Sequence, residues 1–255
     1  MNGWTAIVLA GSRPGKDAFA QAHGTNLKAL IPVGGEPMVR RPVMALLSNE
    51  RFAAVRVLAQ WPERIAAVLP ADPRLTIDVS KDTIAATLEA ICNDPAVAWP
   101  VLVTTADHAL LNRAMIDDFC RGGADADIAI AVVERRALLR RLPTTKRTWI
   151  RFRGGAYSAA NLFLLRSPGA ASAIALWRSV EQDRKKGWRL LGAMGPALFL
   201  GAVLRLLTLD QALRRIGRKL GLDVRAVEMA DPLAAVDVDK DSDHRLVEAI
   251  LEGRQ

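Results

Sequence analysis

The chain has 255 residues, 51% hydrophobic and 5% aromatic, enough for one large α/β domain or two small ones. Its 35 Lys and Arg against 27 Asp and Glu leave a net charge of +8, which favours anionic partners such as nucleic acid, anionic lipid or phosphorylated substrates. Cys92 and Cys120 lack metal-type spacing and fit buried thiols in a reducing cytoplasm, and three scattered histidines (His23, His108, His244) argue against a His-rich metal site.

The first expected strand, Thr5–Ala10, lies in an apolar run too short for a signal peptide and without a cleavage pattern. It leads into LAGSRPGKDAF, Leu9 to Phe19. A Walker loop fails there, because Gly11 and Gly15 stand one residue too close and Asp17 replaces the Ser or Thr that holds Mg²⁺. A GxGxxG fingerprint fails as well, with Ser12 and Arg13 in place of the second glycine. What remains is a strand-then-glycine loop suited to cradling an anion.

Helices are then expected at Pro37–Leu47, Glu63–Leu69, Thr83–Ile91 and Arg113–Arg121, alternating with strands at Val55–Ala59, Leu75–Val79, Val101–Thr105 and Ile128–Val133. Nearly continuous apolar strands such as VLVTT point to burial on both faces, hence a mostly parallel sheet with crossover helices. RTWIRFRGGAYSAANLFLL reads as a hairpin turning at Gly154-Gly155. A long helix follows from Gly169 to Lys186. The apolar run Leu190–Leu209 is interrupted by Gly195-Pro196 and contains Arg205, which argues against a membrane span. Asp210–Leu220 reads as a basic amphipathic helix, with Leu209, Leu213, Ile216 and Leu220 on one stripe and Arg214, Arg215, Arg218 and Lys219 opposite. It serves either as core cover or as a surface lying on an anionic membrane. A last strand, AAVDVD, and a helix over Asp243–Leu251, capped by Asp241 or Ser242, close the chain.

Two basic clusters stand out. Arg135–Arg153 holds eight basic residues and no acid, and Arg184–Lys219 holds nine against Asp210 alone. Few aromatics interleave them, so nucleic acid is not expected as a partner.

Three ordered blocks resemble the MobA-like nucleotidyltransferases. The first is Leu9-Ala10-Gly11 with Arg13, Lys28-Ala29-Leu30 and Gly35-Glu36-Pro37-Met38; the second is VTTADHALL, ending a strand at Asp107; the third is AAVDVDKDSDHRLVEAIL with Asp237, Asp239 and Asp243. The loop departs from the family, with one glycine after Ala10 and extra residues before Lys28. The resemblance implies a Rossmann-like three-layer α/β/α sandwich of the nucleotide-diphospho-sugar transferase (GT-A-like) type. It also implies a mostly parallel mixed sheet in a single domain over 1–255, with a helical acceptor-side insertion near 167–220.

The implied activity is Mg²⁺-dependent transfer of NMP from an NTP, CTP or GTP favoured, to a phosphorylated small molecule or lipid headgroup, releasing pyrophosphate. Backbone amides of Ala10, Gly11, Ser12 and Arg13, beginning from Leu9, suit the phosphates, and Arg13 adds a bidentate charge. Lys28 suits the α-phosphate and its developing charge, with Lys16 as a competitor. Mg²⁺ takes oxygen ligands and needs one or two carboxylates. Asp107 is one; Asp237 or Asp239, alternating along the expected strand, is the other. Ser80 and Thr83 are nominated for base or ribose, although an N-cap role explains Ser80 equally well. Asn161 is nominated for the acceptor, and Lys146, Arg147, Arg151 and Arg153 for its phosphate. His108, beside Asp107, reads as a packing residue or as support for that neighbour rather than as a ligand. The rivals are a GT-A-type glycosyltransferase using a nucleotide-sugar and a non-catalytic basic membrane-binding module. The expected location is cytoplasmic, with peripheral contact at the inner membrane face as an added role for the basic helix.

Overall fold

The computed structural model describes residues 3–11, 17–182 and 206–255. In chain order these form β1 (Trp4–Leu9), α1 (Ala18–Ala22), the short pair β2 (Pro32–Val33) and β3 (Glu36–Pro37), α2 (Arg40–Leu47), β4 (Phe52–Ala59) and α3 (Pro62–Ala66). Then follow β5 (Leu75–Val79), α4 (Ile84–Cys92), β6 (Val101–Thr105), α5 (Arg113–Gly122), β7 (Ile128–Glu134), α6 (Arg135–Arg141), β8 (Ile150–Phe152), β9 (Gly155–Leu165) and α7 (Ala171–Gln182). Beyond residue 205 come α8 (Leu209–Leu220), β10 (Val224–Glu228) and α9 (Asp241–Leu251).

The main sheet runs β10-β7-β9-β6-β1-β4-β5, with β8 paired to β9. β5, β4, β1 and β6 are parallel neighbours, as are β7 and β10; β9 runs antiparallel between the two blocks. The period-two alternation of the strands builds both cores. Ala6, Val8 and Leu102 join one cluster with Val43 and Leu46 of α2, Ile116 and Phe119 of α5 and Val247 of α9. Ile7, Val101 and Val103 join the other with Leu88 of α4 and Ile174 of α7, against which Leu213 of α8 packs. Helices therefore cover both faces, giving the expected Rossmann-like α/β/α sandwich with a mostly parallel sheet.

Caps define the helix starts. Thr83 accepts from Ala86 N–H at α4, Asn112 from Met115 N–H at α5, and Thr208 forms a capping box with Gln211 at α8. α8 ends at Gly221 in the left-handed conformation that glycine adopts at no steric cost, φ 68°. Ala212 and Gly217 of α8 are buried and Arg214, Arg215, Arg218 and Lys219 exposed, so the helix acts as cover for the sheet.

Strands β5 and β6 lie where the sequence predicts them, and the hairpin turns at Gly154-Gly155. The expected strand AAVDVD does not form: Pro232–Ala235 is a 3₁₀ turn and residues 236–239 pair with no strand. The alternation is genuine, with Val236 and Val238 fully buried in the core cluster that holds Val8 and Leu102, but it serves a segment that joins no sheet. The strand beside it, β10, was not expected. The last helix starts at Asp241, and Lys240 occupies its N-cap without a side-chain bond; neither Asp241 nor Ser242 caps it. Asp243 instead accepts from Asp239 N–H at 3.3 Å. The expected helix Gly169–Lys186 is described from Ala171 to Gln182, and most of the run Leu190–Leu209 lies outside the described residues. Among the described residues no helix is long and apolar enough to cross a membrane.

Candidate functional site

Parallel strands β1, β4, β5 and β6 deliver their C-terminal ends to one edge, where open α/β sheets place ligands. Leu9 and Ala10 are stitched into it: Leu9 O accepts from Ala106 N–H and Ala10 N–H donates to Leu58 O, both at 2.9 Å. The amide of Ala10 is therefore spent within the fold. Gly11 is exposed, and a side chain there would stand 3.9 Å from Ser80 Oγ and 3.7 Å from Gln60 Nε2. Ser12, Arg13 and Lys16 lie outside the described residues.

Ser80 is not the cap of α4; Thr83 is. The Ser80 hydroxyl is buried without a hydrogen-bond partner beside Gly11. A buried hydroxyl left unpaired costs free energy that a ligand atom recovers. Exposed apolar side chains neighbour these positions in the chain: Trp61 next to Gln60, Val79 next to Ser80, and Ile84 opening α4.

Lys28 is the electrostatic centre of the edge. A 3₁₀ turn, Lys28–Leu30, carries it, with Ala29 buried beneath. Its Nζ donates to Asp107 Oδ2 at 2.6 Å and to Asp239 Oδ1. Burial pulls the ammonium down, but the charges and hydrogen bonds of the two carboxylates outweigh that and hold its pKa above the usual lysine value. Asp107, just past β6, is further fixed by Thr105 Oγ1, which donates to Oδ1 at 2.5 Å. Asn112 caps α5, so Asp107 has no capping role.

Asp237 is held differently. Arg147, with a side chain 7% exposed, donates to Asp237 Oδ1 and to its carbonyl oxygen, and its other terminal nitrogen lies 3.5 Å from Asp243. Asn161 Nδ2 donates to Asp237 Oδ2 at 3.2 Å. Burial pushes the Asp237 carboxyl up, Arg147 opposes this, and nearby Asp239 and Asp107 add to the rise, leaving it above the usual carboxylate value. Arg147 and Asn161, both expected at the acceptor, are thus engaged with Asp237. Lys146, Arg151 and Arg153 are exposed.

His108 is buried and, as expected, a packing residue; its Nδ1 lies 3.3 Å from Thr104 Oγ1, and burial pushes its pKa down to about 4. His23 and His244, far apart in sequence, meet with ring centroids 4.5 Å apart and tie α1 to α9 through Asp241. Cys92 and Cys120 are free and buried.

Among the described residues no group of three or more His, Cys, Asp and Glu is arranged to hold a metal ion. The chemistry of the Asp107–Asp239 pair nevertheless fits Mg²⁺: two carboxylates converge on one cation, here the Lys28 ammonium, and Mg²⁺ completes its shell with substrate phosphates and water.

The chain matches the MobA-like NTP transferase domain over residues 6–224. A hypothetical transferase from Thermus thermophilus is 30% identical, with 95% of this chain and 99% of that one covered and a TM-score of 0.79. The fold is shared with 4-diphosphocytidyl-2C-methyl-D-erythritol synthase from Anaerococcus prevotii, at 9% identity, TM-score 0.61 and coverage of 98% and 96%. It is shared too with 2-C-methyl-D-erythritol 4-phosphate cytidylyltransferase from Francisella tularensis, at 10% identity, TM-score 0.59 and coverage of 96% and 97%. No protein of curated function matches the chain by sequence. The chain belongs to the MobA-like NTP transferase family and is a nucleotidyltransferase.

Proposed function

We propose that the protein transfers NMP from an NTP, CTP or GTP favoured, to a phosphorylated acceptor. The observation that carries this reading is the Lys28 ammonium lodged between Asp107 and Asp239. A nucleotide brings its own anions to this edge, and Lys28 moves from the carboxylates onto the α-phosphate. Asp107 and Asp239 are then free to hold Mg²⁺, which supplies positive charge to the nucleotide's phosphates. Gly11 and the loop after it receive the β- and γ-phosphates, and Ser80 Oγ receives the base or ribose.

An acceptor phosphate oxygen attacks the α-phosphorus; the bond to the bridging oxygen breaks and pyrophosphate leaves. No general base is required, because a phosphate monoester is largely ionised near neutral pH, its second pKa being about 6. Lys28 stabilises the charge that develops in transfer. Residues 1–255 act as one such domain, with 167–220 on the acceptor side.

A screen of four NTPs against sugar, polyol and lipid-headgroup phosphates, read as pyrophosphate release, tests the reading. Release should require Mg²⁺, an NTP and an acceptor together. Glycosyl transfer from a nucleotide-sugar without pyrophosphate release would replace it with a glycosyltransferase.

A further inference from the structure

Asn161 is, among the described residues, the one non-glycine with a left-handed backbone, at φ 48°. An L residue loses backbone stability there, asparagine less than most. The position is a bulge in β9. Ala131 of β7 stands opposite Ala160, Asn161 and Leu162, while Ile130–Phe163 and Val132–Ala159 remain paired on either side. On its other flank β9 pairs with β6 as far as Leu162–Thr104, at the strand end that leads into Asp107. Bulges re-aim side chains, and this one aims the Asn161 amide at Asp237 Oδ2. Arg147, in the connection between α6 and β8, takes Oδ1, so side chains from two separate segments hold both carboxylate oxygens.

Clamping Asp237 fixes its neighbours. Val236 and Val238 are fully buried, Val238 N–H donates to Asp107 O at 3.1 Å, and the next residue is Asp239. We infer that Asn161 is a positioning residue: its bulge and amide hold Asp237, and through it set Asp239 beside Asp107. This rests on the proposed role of that acid pair and deepens it. Glycine would serve the bulge at lower backbone cost; what asparagine adds is the amide.

Two substitutions separate the roles. Asn161→Gly keeps the left-handed backbone and removes the amide, whereas Asn161→Ala removes the amide and strains the backbone as well. Each is made in the full chain, both alone for thermal melting and in a Lys28→Met background, where no ammonium competes, for titration with Mn²⁺ alone. Asn161→Gly should melt no lower than the parent while Mn²⁺ binds roughly tenfold more weakly, the scale for losing a partner that orients a metal ligand. Asn161→Ala should weaken Mn²⁺ equally and melt lower. Parental Mn²⁺ affinity in Asn161→Gly overturns the inference, as does an Asn161→Gly melt as low as that of Asn161→Ala, or a parent that binds no Mn²⁺. Weakened Mn²⁺ binding in a protein that releases no pyrophosphate with any NTP upholds the positioning role and overturns nucleotidyl transfer instead.

Discussion

Val238 donates its backbone N–H to the carbonyl oxygen of Asp107 at 3.1 Å. That bond joins the end of a central strand to a segment 131 residues later, and it sets the two acids of the site side by side. Everything proposed for the site depends on this junction and on the lysine that spans it.

Lys28→Ala should lower kcat by about 10²–10³, the scale for removing one donor aimed at charge developing in the transition state. The same change leaves Asp107 and Asp239 facing each other without their shared cation. The variant should therefore bind Mn²⁺ more tightly than wild type without nucleotide, and Mg²⁺ should raise its melting temperature more. Calorimetric titration and thermal melts check both; weaker Mn²⁺ binding would remove Lys28 from the space between the acids.

Asp107→Asn and Asp239→Asn should abolish Mg²⁺-dependent turnover, since an amide keeps the shape but lacks the charge that holds a hard cation. Asp237→Asn should retain Mg²⁺ dependence, because its carboxylate oxygens are committed to Arg147 and Asn161. Pyrophosphate release as a function of Mg²⁺ concentration decides between them. Loss of Mg²⁺ dependence in Asp237→Asn alone would exchange the roles.

Arg147→Leu should destabilise the fold by about 3 kcal/mol at pH 8, the low end for breaking a buried charge pair, because Asp237 keeps some exposure. The sign with pH follows from Asp237, whose folded pKa already lies above its ordinary value and rises further once Arg147 is gone. Such a group penalises the fold only when ionised, so the penalty is absent below its unfolded pKa and grows as pH rises through the folded one. Melts at pH 5 and pH 8 should show a smaller loss at pH 5; an equal loss at both would remove Asp237 ionisation as the cause.

Ser80 and Thr83 should respond oppositely. Thr83→Ala removes the cap of α4 and should cost about 1 kcal/mol of stability. Ser80→Ala removes a hydroxyl with no partner in the fold, so stability should hold, while KM for the NTP rises roughly five- to tenfold, the equivalent of about 1 kcal/mol. A destabilised Ser80→Ala with unchanged KM would place that hydroxyl in the fold's own bonding.

Local pattern carried much of the fold. VLVTT folds as predicted because burial on both faces leaves an unmistakable apolar run, and LTIDV forms the half-exposed edge strand, read from its β-branched residues. AAVDVD misled because alternation reports burial on one side and not the presence of a pairing partner; its valines are buried in the core cluster without strand pairing. Helix α6 went unread inside the acid-free run from Arg135, where the signal is the cap, Glu134, whose carboxylate accepts from Arg136 and Ala137 N–H. At the site, the family blocks named Lys28, Asp107 and Asp239, which the fold gathers. The clamp on Asp237 was illegible, because it joins residues 90 and 76 positions apart and depends on a bulge that no spacing announces.

The span of the Lys28 bridge also orders events in time. Lys28 and Asp107 are 79 positions apart, whereas Asp239 lies 211 positions from Lys28. Chains fold from the N-terminus as the ribosome releases them. The first acid can meet its lysine while the antiparallel strand is still unmade; the second arrives after every strand of the sheet has been synthesised. The lysine and its first carboxylate are thus made early and the second late, so the three-residue bridge can close only once nearly the whole chain exists.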